Sequence, residues 1–201
     1  MDMRKIVEKG YDEGEYATHY RKQDKLNKLE VKFLSKLFKV LKSGKIIDFG
    51  SGTGIPYDSY LVKKGFNVTG IDISQKHIDL AKKNVPKAKF VKGDFSTLKL
   101  KNNSVDAIVS FYAIFHIPRS EHKKIMKKMY NLIRPKGYIL ITLGINEMKM
   151  AVGKFIDSKM AWSSYSAEKN KRLVEQTGFK IKLLEEEHHN SEHHLWILAQ
   201  K

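Results

Sequence analysis

The amino-acid sequence predicts an α/β fold, a three-layer sandwich on a mostly parallel seven-stranded sheet with an antiparallel strand at its edge. Three observations carry this expectation. From Lys45 onward short apolar runs alternate with amphipathic helical stretches. A turn rich in glycine, Gly50-Ser51-Gly52-Thr53-Gly54, separates the first apolar run from the next helix. The last two apolar runs follow each other with only a polar connection between them. Strands separated by helices pair in parallel and are covered on both faces, whereas strands joined directly pair antiparallel.

Between Tyr16 and Leu41, the residues Leu26, Leu29, Phe33, Leu37, Val40 and Leu41 recur at three- and four-residue steps, as an amphipathic helix requires, and Ser43-Gly44 ends it. A strand Lys45–Phe49, a helix Tyr57–Lys64 and a strand Asn67–Ile71 closed by Asp72 then form a βαβ unit. Ser74 caps a helix running through Lys83, stopped before Pro86, and a third strand spans Lys89–Val91. A fourth strand Val105–Ser110, a helix from Ser120 to Ile133, the turn Arg134-Pro135-Lys136-Gly137 and a fifth strand Tyr138–Leu143 follow. Ile145 to Ser166 has weak periodicity and reads as irregular. A helix Ala167–Gln176 and strands Phe179–Glu187 and Leu195–Gln200, joined by the polar connection His188 to His194, complete the pattern.

With 201 residues, 41% of them hydrophobic, the chain can bury one sizeable core and fits a single domain. It has no cysteine, which excludes disulfides, thiolate metal sites and cysteine nucleophiles and is compatible with a reducing compartment. No apolar stretch approaches the roughly 20 residues that cross a bilayer, and Met1 to Gly10 is charged throughout, so the expected location is the cytoplasm, with no membrane partner. A formal charge of +16 is compatible with nucleic-acid binding. Against that, only five of the 38 basic residues are arginine, the side chain suited to bidentate phosphate contacts, and the lysines spread along the chain as a solvated exterior would. Solvated surface is therefore the first reading and a nucleic-acid footprint the second.

The strongest chemical signal is Asp48-Phe49-Gly50-Ser51-Gly52-Thr53-Gly54, at the carboxyl end of the first strand, where open α/β sheets bind ligands. Ile55 stands where the dinucleotide fingerprint needs a small residue, which counts against a dehydrogenase. Asp72 closes the second strand at the same sheet edge, where a carboxylate can accept from both hydroxyls of a ribose.

In order and spacing, Ile47–Gly54, Gly70-Ile71-Asp72-Ile73-Ser74, Lys92-Gly93-Asp94-Phe95, Phe111 to Pro118 and Ile133 to Tyr138 resemble the class I, Rossmann-like S-adenosylmethionine-dependent methyltransferases over most of the chain. The resemblance implies S-adenosyl-L-methionine as cofactor and S-adenosyl-L-homocysteine as product. It implies that the Gly50, Ser51, Gly52 and Gly54 backbone cradles the methionine and ribose portions, and that Asp48 orients the loop or meets the cofactor's ammonium. It implies that Asp72 holds the ribose, Ile73 covers the adenine, Asp94 accepts from the adenine amino group, Phe95 packs nearby, and a carbonyl of Ser110 or Phe111 completes the methionine site. A turn after strand three is the competing reading for Asp94, a core contact for Phe95 and a helix cap for Asp72.

On the same resemblance the chain divides into a helical lid at 1–43, a cofactor-binding core at 44–144, a substrate cap at 145–166 and a closing helix and strand pair at 167–201. Tyr11, Tyr16 and Tyr20 precede or enter the lid helix, with Tyr20 the favoured cofactor contact and simple packing the alternative. His116 is the candidate base for a hydroxyl or amine acceptor, set against a packing or capping role. Acceptor contacts are expected from Tyr16, Tyr112, Trp162, Tyr165 and His189, with Met150, Phe155 and Met160 completing an apolar wall. The histidines at 188, 189, 193 and 194 raise metal binding, but adjacent strand residues point to different sides and no metal site is expected. The absence of an Asp/Asn-Pro-Pro-aromatic motif after strand four disfavours base-amino methylation, and the absence of cysteine excludes covalent cytosine-carbon chemistry and thiol-dependent arsenic methylation. A small-molecule acceptor is the first expectation for a monomer or homodimer; RNA or protein methylation and a non-catalytic cofactor-binding regulator are the alternatives.

Overall fold

The computed structural model describes residues 2–16, 25–189 and 192–201. Its main sheet has seven strands, β1 (Lys45–Phe49), β2 (Asn67–Asp72), β3 (Lys89–Lys92), β4 (Val105–Ser110), β5 (Ile133–Gly144), β8 (Lys180–His189) and β9 (Glu192–Gln200), in the order β3-β2-β1-β4-β5-β9-β8. The first five pair in parallel; β9 runs antiparallel to both β5 and β8, so the direct connection at the chain's end does form an antiparallel edge pair.

Alternation along β1 sends Ile46 to one face of the sheet and Ile47 and Phe49 into the core on the other. On the Ile46 face, α2 (Lys28–Val40) and α3 (Tyr57–Lys63) pack Phe33, Leu34, Leu37 and Leu61 against Val68, Val109 and Trp196. On the other, α5 (His122–Leu132) and α6 (Ala167–Gln176) pack Ile125, Met129, Leu173 and Val174 against Ile108 and Ile139. Helix α4 (Gln75–Asn84) starts where Ser74 accepts from the His77 N–H, and buries Ile78 and Ala81 beside Phe90.

Five features differ from the sequence expectation. The helix expected from Tyr16 begins at Lys28, where Asn27 and Glu30 form a reciprocal capping box, and residues 17–24 lie outside the described ones. An unexpected α1 (Met3–Glu13) precedes it: Asp2 caps it, and Met3, Val7 and Gly10 make a narrow buried stripe that the many charges conceal. The segment 145–166 is not irregular. It contains a hairpin, β6 (Met148–Phe155) and β7 (Ser158–Ser164), whose period-two pattern leaves no helical signal. Arg134 to Lys136 bulges out of β5 between the pairs Val105↔Ile133 and Ala107↔Tyr138, and the connection expected at 188–194 is mostly strand, with His188 paired to His193. Helix α1 lies on β7, burying Met3 and Val7 with Met160 and Ala161. Among the described residues no helix is long and apolar enough to cross a membrane.

Candidate functional site

Strands β1 and β2 end together, with Phe49 in register with Ile71. The chain leaves β1 with Gly50 at φ 84° and Gly52 at φ 54°, left-handed conformations that glycine adopts without strain. A Cβ on Gly50 would stand 2.2 Å from that of Ala113, so this loop runs hard against the loop after β4, whereas nothing lies within 4 Å of the corresponding position on Gly52. The Gly52 N–H donates to Asp72 Oδ2 at 2.8 Å and the Ser74 N–H to Oδ1 at 2.9 Å, with His77 Nδ1 3.5 Å from Oδ1. Burial works to raise the Asp72 carboxyl, but His77 and the two backbone donors outweigh it and hold the group below the usual carboxylate range. Asp72 is thus an ionised acceptor with lone pairs to spare at the mouth of the loop.

Gly50, Gly52, Asp72, Ile73, Asp94, Phe95 and Phe111 line one cavity of about 80 Å³, closed on the outside by Arg4, Val7 and Tyr11 of α1. The remaining residues expected at this site lie behind its walls. The Ser110 hydroxyl donates to the Phe49 carbonyl at 2.7 Å, Gly54 abuts Phe90 and Val85, and the Ser51 N–H donates to the Ile71 carbonyl. Asp48 is buried within reach of the carboxyl of Asp58, and neither Asp58 oxygen nor Asp48 Oδ1 meets any other polar group. Burial, reinforced by the nearby Asp72 charge, pushes both carboxyls up, Asp48 to about 7. Tyr20 lies outside the described residues.

Asp94 is not an open acceptor. Its Oδ2 takes the Arg4 Nε–H at 2.6 Å and its Oδ1 takes the Ser96 N–H at 2.7 Å. The same guanidinium donates to both oxygens of Glu121, at 2.9 and 2.8 Å, and to the Ser96 hydroxyl. The hydrogen bonds from Arg4 hold the Glu121 carboxyl below its ordinary range. The role that the resemblance implies for Asp94 therefore requires Arg4 to share or release that carboxylate.

His116, in a 3₁₀ turn after β4, has both ring nitrogens engaged. Nδ1 lies 2.8 Å from the Ala161 carbonyl, which can only accept, so Nδ1 carries the proton. Nε2 then accepts from the Tyr11 hydroxyl at 2.9 Å. Burial drives the imidazole down to about 4, against the opposing pull of the Ala161 carbonyl and Asp72, so the ring is neutral at neutral pH. Burial likewise pushes the Tyr11 phenol up, keeping it protonated.

Tyr11, Tyr16, Tyr112 and His116 also line a second cavity of about 440 Å³, whose far wall includes Trp162, Phe155 and Met148 of the hairpin and His194 of β9. Tyr112 holds φ 56° while its N–H donates to Thr142 Oγ1 at 2.6 Å, so a sparsely populated backbone conformation is fixed at the junction of the two cavities. Tyr165 is elsewhere, beneath the cations of Arg119 and Lys169 and edge-on to His122. Met150 is exposed, Met160 packs against α1, and the His189 side chain lies outside the described residues. The histidine cluster expected to offer the acceptor pocket His189 or His193 does line this cavity, through His193 and His194. Sequence reasoning gave no role to Arg4, His77 or Phe115: Arg4 was hidden in an unrecognised helix, His77 carries no local motif, and Phe115 lies in the Phe111 to Pro118 segment without a distinguishing feature.

Residues 47–141 match the model of a methyltransferase domain family. An uncharacterized methyltransferase of Oceanobacillus iheyensis is 31% identical over 113 residues, 56% of this chain and 53% of that protein. The phosphoethanolamine N-methyltransferase of Plasmodium falciparum is 32% identical over 104 residues, 50% of this chain and 39% of that protein. The chain thus spans about half or less of the length of these relatives. The fold matches the crystal structure of a S-adenosylmethionine-dependent methyltransferase from Methanosarcina mazei with TM-score 0.75 at 19% identity, covering 88% of this chain and 98% of that one. Residues 47–141, just under half of the chain, thus match a methyltransferase domain, and the fold as a whole is that of S-adenosylmethionine-dependent methyltransferases of known structure.

Proposed function

We propose that the protein binds S-adenosylmethionine in the cavity beside Gly52 and Asp72 and methylates a small molecule in the cavity beside Trp162. The observation that carries this reading is that the two cavities share Tyr11, Tyr16, Tyr112 and His116. A methyl donor on one side and an acceptor on the other would meet at these residues, aligned and screened from water.

The residues suit the cofactor chemically. Asp72 is an ionised carboxylate for ribose hydroxyls, Gly52 presents an open backbone face, and Ile73 and Phe95 offer apolar contact for an adenine. When bound, the cofactor supplies an electrophilic methyl group on a sulfonium that departs without acid assistance. The chain's remaining task is the acceptor's proton. Tyr11 Oη can accept it while passing its own hydrogen to His116 Nε2, and the Ala161 carbonyl keeps the imidazole in the tautomer whose Nε2 is open to receive it. Helix α1 would act as the lid, since it carries Tyr11 and Arg4 and also rests on the hairpin. The Plasmodium relative is named for a small acceptor, in keeping with this reading.

The test is incubation with methyl-labelled S-adenosylmethionine and cell extract, fractionated into small molecules, RNA and protein. Label is expected in the small-molecule fraction. Label confined to RNA or protein would replace this reading with docking of a macromolecule on the basic exterior.

A further inference from the structure

The second cavity specifies an acceptor chemistry. None of its 14 described lining residues is Asp, Glu, Lys or Arg, although such residues make up 30% of the chain. Nine of the 14 are rings, namely six Tyr, Phe or Trp side chains and three imidazoles. Seven of them form two runs that meet at His116. In one, Tyr16 lies 5.8 Å from Phe155, Phe155 6.3 Å from Trp162, and Trp162 6.2 Å from His116. In the other, Tyr112 lies 4.8 Å from His194, His194 stacks on Phe115 at 5.4 Å, and Phe115 lies 4.8 Å from His116.

We propose, building on the methyltransferase reading above, that the acceptor is an uncharged, planar aromatic molecule carrying a hydroxyl or ring N–H, held between these two runs of rings. Aromatic faces pack flat ligands by offset stacking or edge contacts, a geometry that a saturated ring does not satisfy. The polar groups on the wall, Asn146, Ser164 and the tyrosine hydroxyls, are neutral dipoles suited to orienting a neutral ligand.

An anionic acceptor meets no lysine or arginine among the described lining residues, and burying a phosphate or carboxylate without such a partner is costly. Arg119 and Glu187, on neighbouring segments, are already committed. Arg119 pairs with Glu147 at 2.5 Å, and Glu187 accepts from the Trp196 Nε1–H at 2.9 Å and the Tyr112 hydroxyl at 3.4 Å.

An ammonium would be drawn to the aromatic faces, but it must lose a proton before it can attack. His116, driven to about 4 by burial, is too weak a base to take a proton from an alkylammonium in its ground state. A phenol or heterocyclic N–H becomes strongly acidic only as its new bond forms, so a weak, always-neutral base suffices for it.

The test uses four probes of one size, titrated calorimetrically with S-adenosylhomocysteine at saturation: 1-naphthol, 1-naphthyl phosphate, 1-naphthylmethylammonium and the saturated decahydro-1-naphthol. The expected result is that 1-naphthol binds at least about tenfold more tightly than each of the other three. Trp162→Leu and, separately, Phe155→Leu should weaken 1-naphthol by about fivefold or more, with S-adenosylhomocysteine affinity held within about threefold. Two variants on different strands guard against one that disturbs the hairpin. Equal or tighter binding of the phosphate, the ammonium or the saturated alcohol overturns the proposal. So does absence of 1-naphthol binding while S-adenosylhomocysteine still binds, and in that case the methyltransferase reading survives. Failure to bind S-adenosylhomocysteine itself would remove that reading and the proposal together.

Discussion

The cavity beside Gly52 and the cavity beside Trp162 share Tyr11, Tyr16, Tyr112 and His116 and are otherwise built differently. The first is cut into the carboxyl ends of β1, β2 and β4, and its polar groups are charged and mutually restrained, as in the Asp72–Gly52–Ser74 contacts. The second is assembled from a hairpin, a strand at the other end of the sheet and a turn, and the described residues on its wall bear no Asp, Glu, Lys or Arg. Fixed charge at strand ends suits one constant ligand. A neutral aromatic wall on appended segments suits a ligand that varies between relatives, and it can be rebuilt without disturbing the sheet.

The sharpest way to break this comparison is Asp72→Ala. It removes charge-assisted bonds that hold the loop as well as the proposed ribose contact, and should weaken S-adenosylhomocysteine by about a hundredfold, ~2.7 kcal/mol, in calorimetry. Binding of 1-naphthol at saturating S-adenosylhomocysteine should change little; parallel losses on both sides would mean that the cavities are not separable. Next in size is Tyr11→Phe at the junction. It deletes only the hydroxyl that reaches His116 Nε2, and should lower methyl transfer to the acceptor recovered from extract on the order of a hundredfold, with S-adenosylhomocysteine affinity kept within about threefold. An unchanged rate would remove Tyr11 from the proton path.

A third prediction concerns pH. Because burial lowers the folded His116 from an ordinary 6.5 to about 4, its basic form persists well into acid. The His116 ring protons, assigned by comparison with His116→Gln, should titrate by NMR near 4, and methyl transfer should not fall as pH drops through about 6.5. The depressed value also means that neutral, buried His116 favours the fold above about 6.5, and that this contribution is lost as pH falls toward 4. A midpoint at the ordinary value would contradict the burial argument.

The smallest effect lies beneath the glycine loop. Asp48 and Asp58 have folded values raised by burial, so the native state retains a proton that the unfolded chain releases above about 4. Their contribution to stability therefore falls as pH rises above about 4, with the Asp48 share lost by about 7. Asp58→Asn replaces the second acid with a donor for Asp48, and should flatten this slope and raise Tm at pH 8 by about 2–4 °C per kcal/mol gained. A drop in Tm would show that Asp58 is held by something other than Asp48.

The same contrast explains what the sequence disclosed. The sheet was legible because strands buried on both faces read as apolar runs, and the loop was legible because Gly50 and Gly52 need positive φ beside a strand end. The acceptor side was harder. Its hairpin alternates with period two, one face half exposed, so that Met148 to Ser164 shows no helical stripe and too few apolar residues for an obvious strand. Trp162 could be picked out as a large ring in that segment, but Tyr165, two residues beyond Ser163, faces Arg119. Helix α1 was invisible because its buried stripe of Met3, Val7 and Gly10 is narrow and its charges include Arg4, which looks solvent-facing in sequence yet spans Asp94 and Glu121. His194 reaches the cavity only because β9 is inserted between β5 and β8, a fact of topology rather than of local pattern.

The central claim, that a nucleoside cofactor sits at the ends of β1 and β2 under α1, is tested most directly by hydrogen exchange with and without S-adenosylhomocysteine. The account predicts that the ligand slows exchange together in three places: the loop Gly50 to Gly54, the segment Asp72 to Ser74, and helix α1. Unchanged exchange in these segments at a ligand concentration that saturates the protein would contradict it.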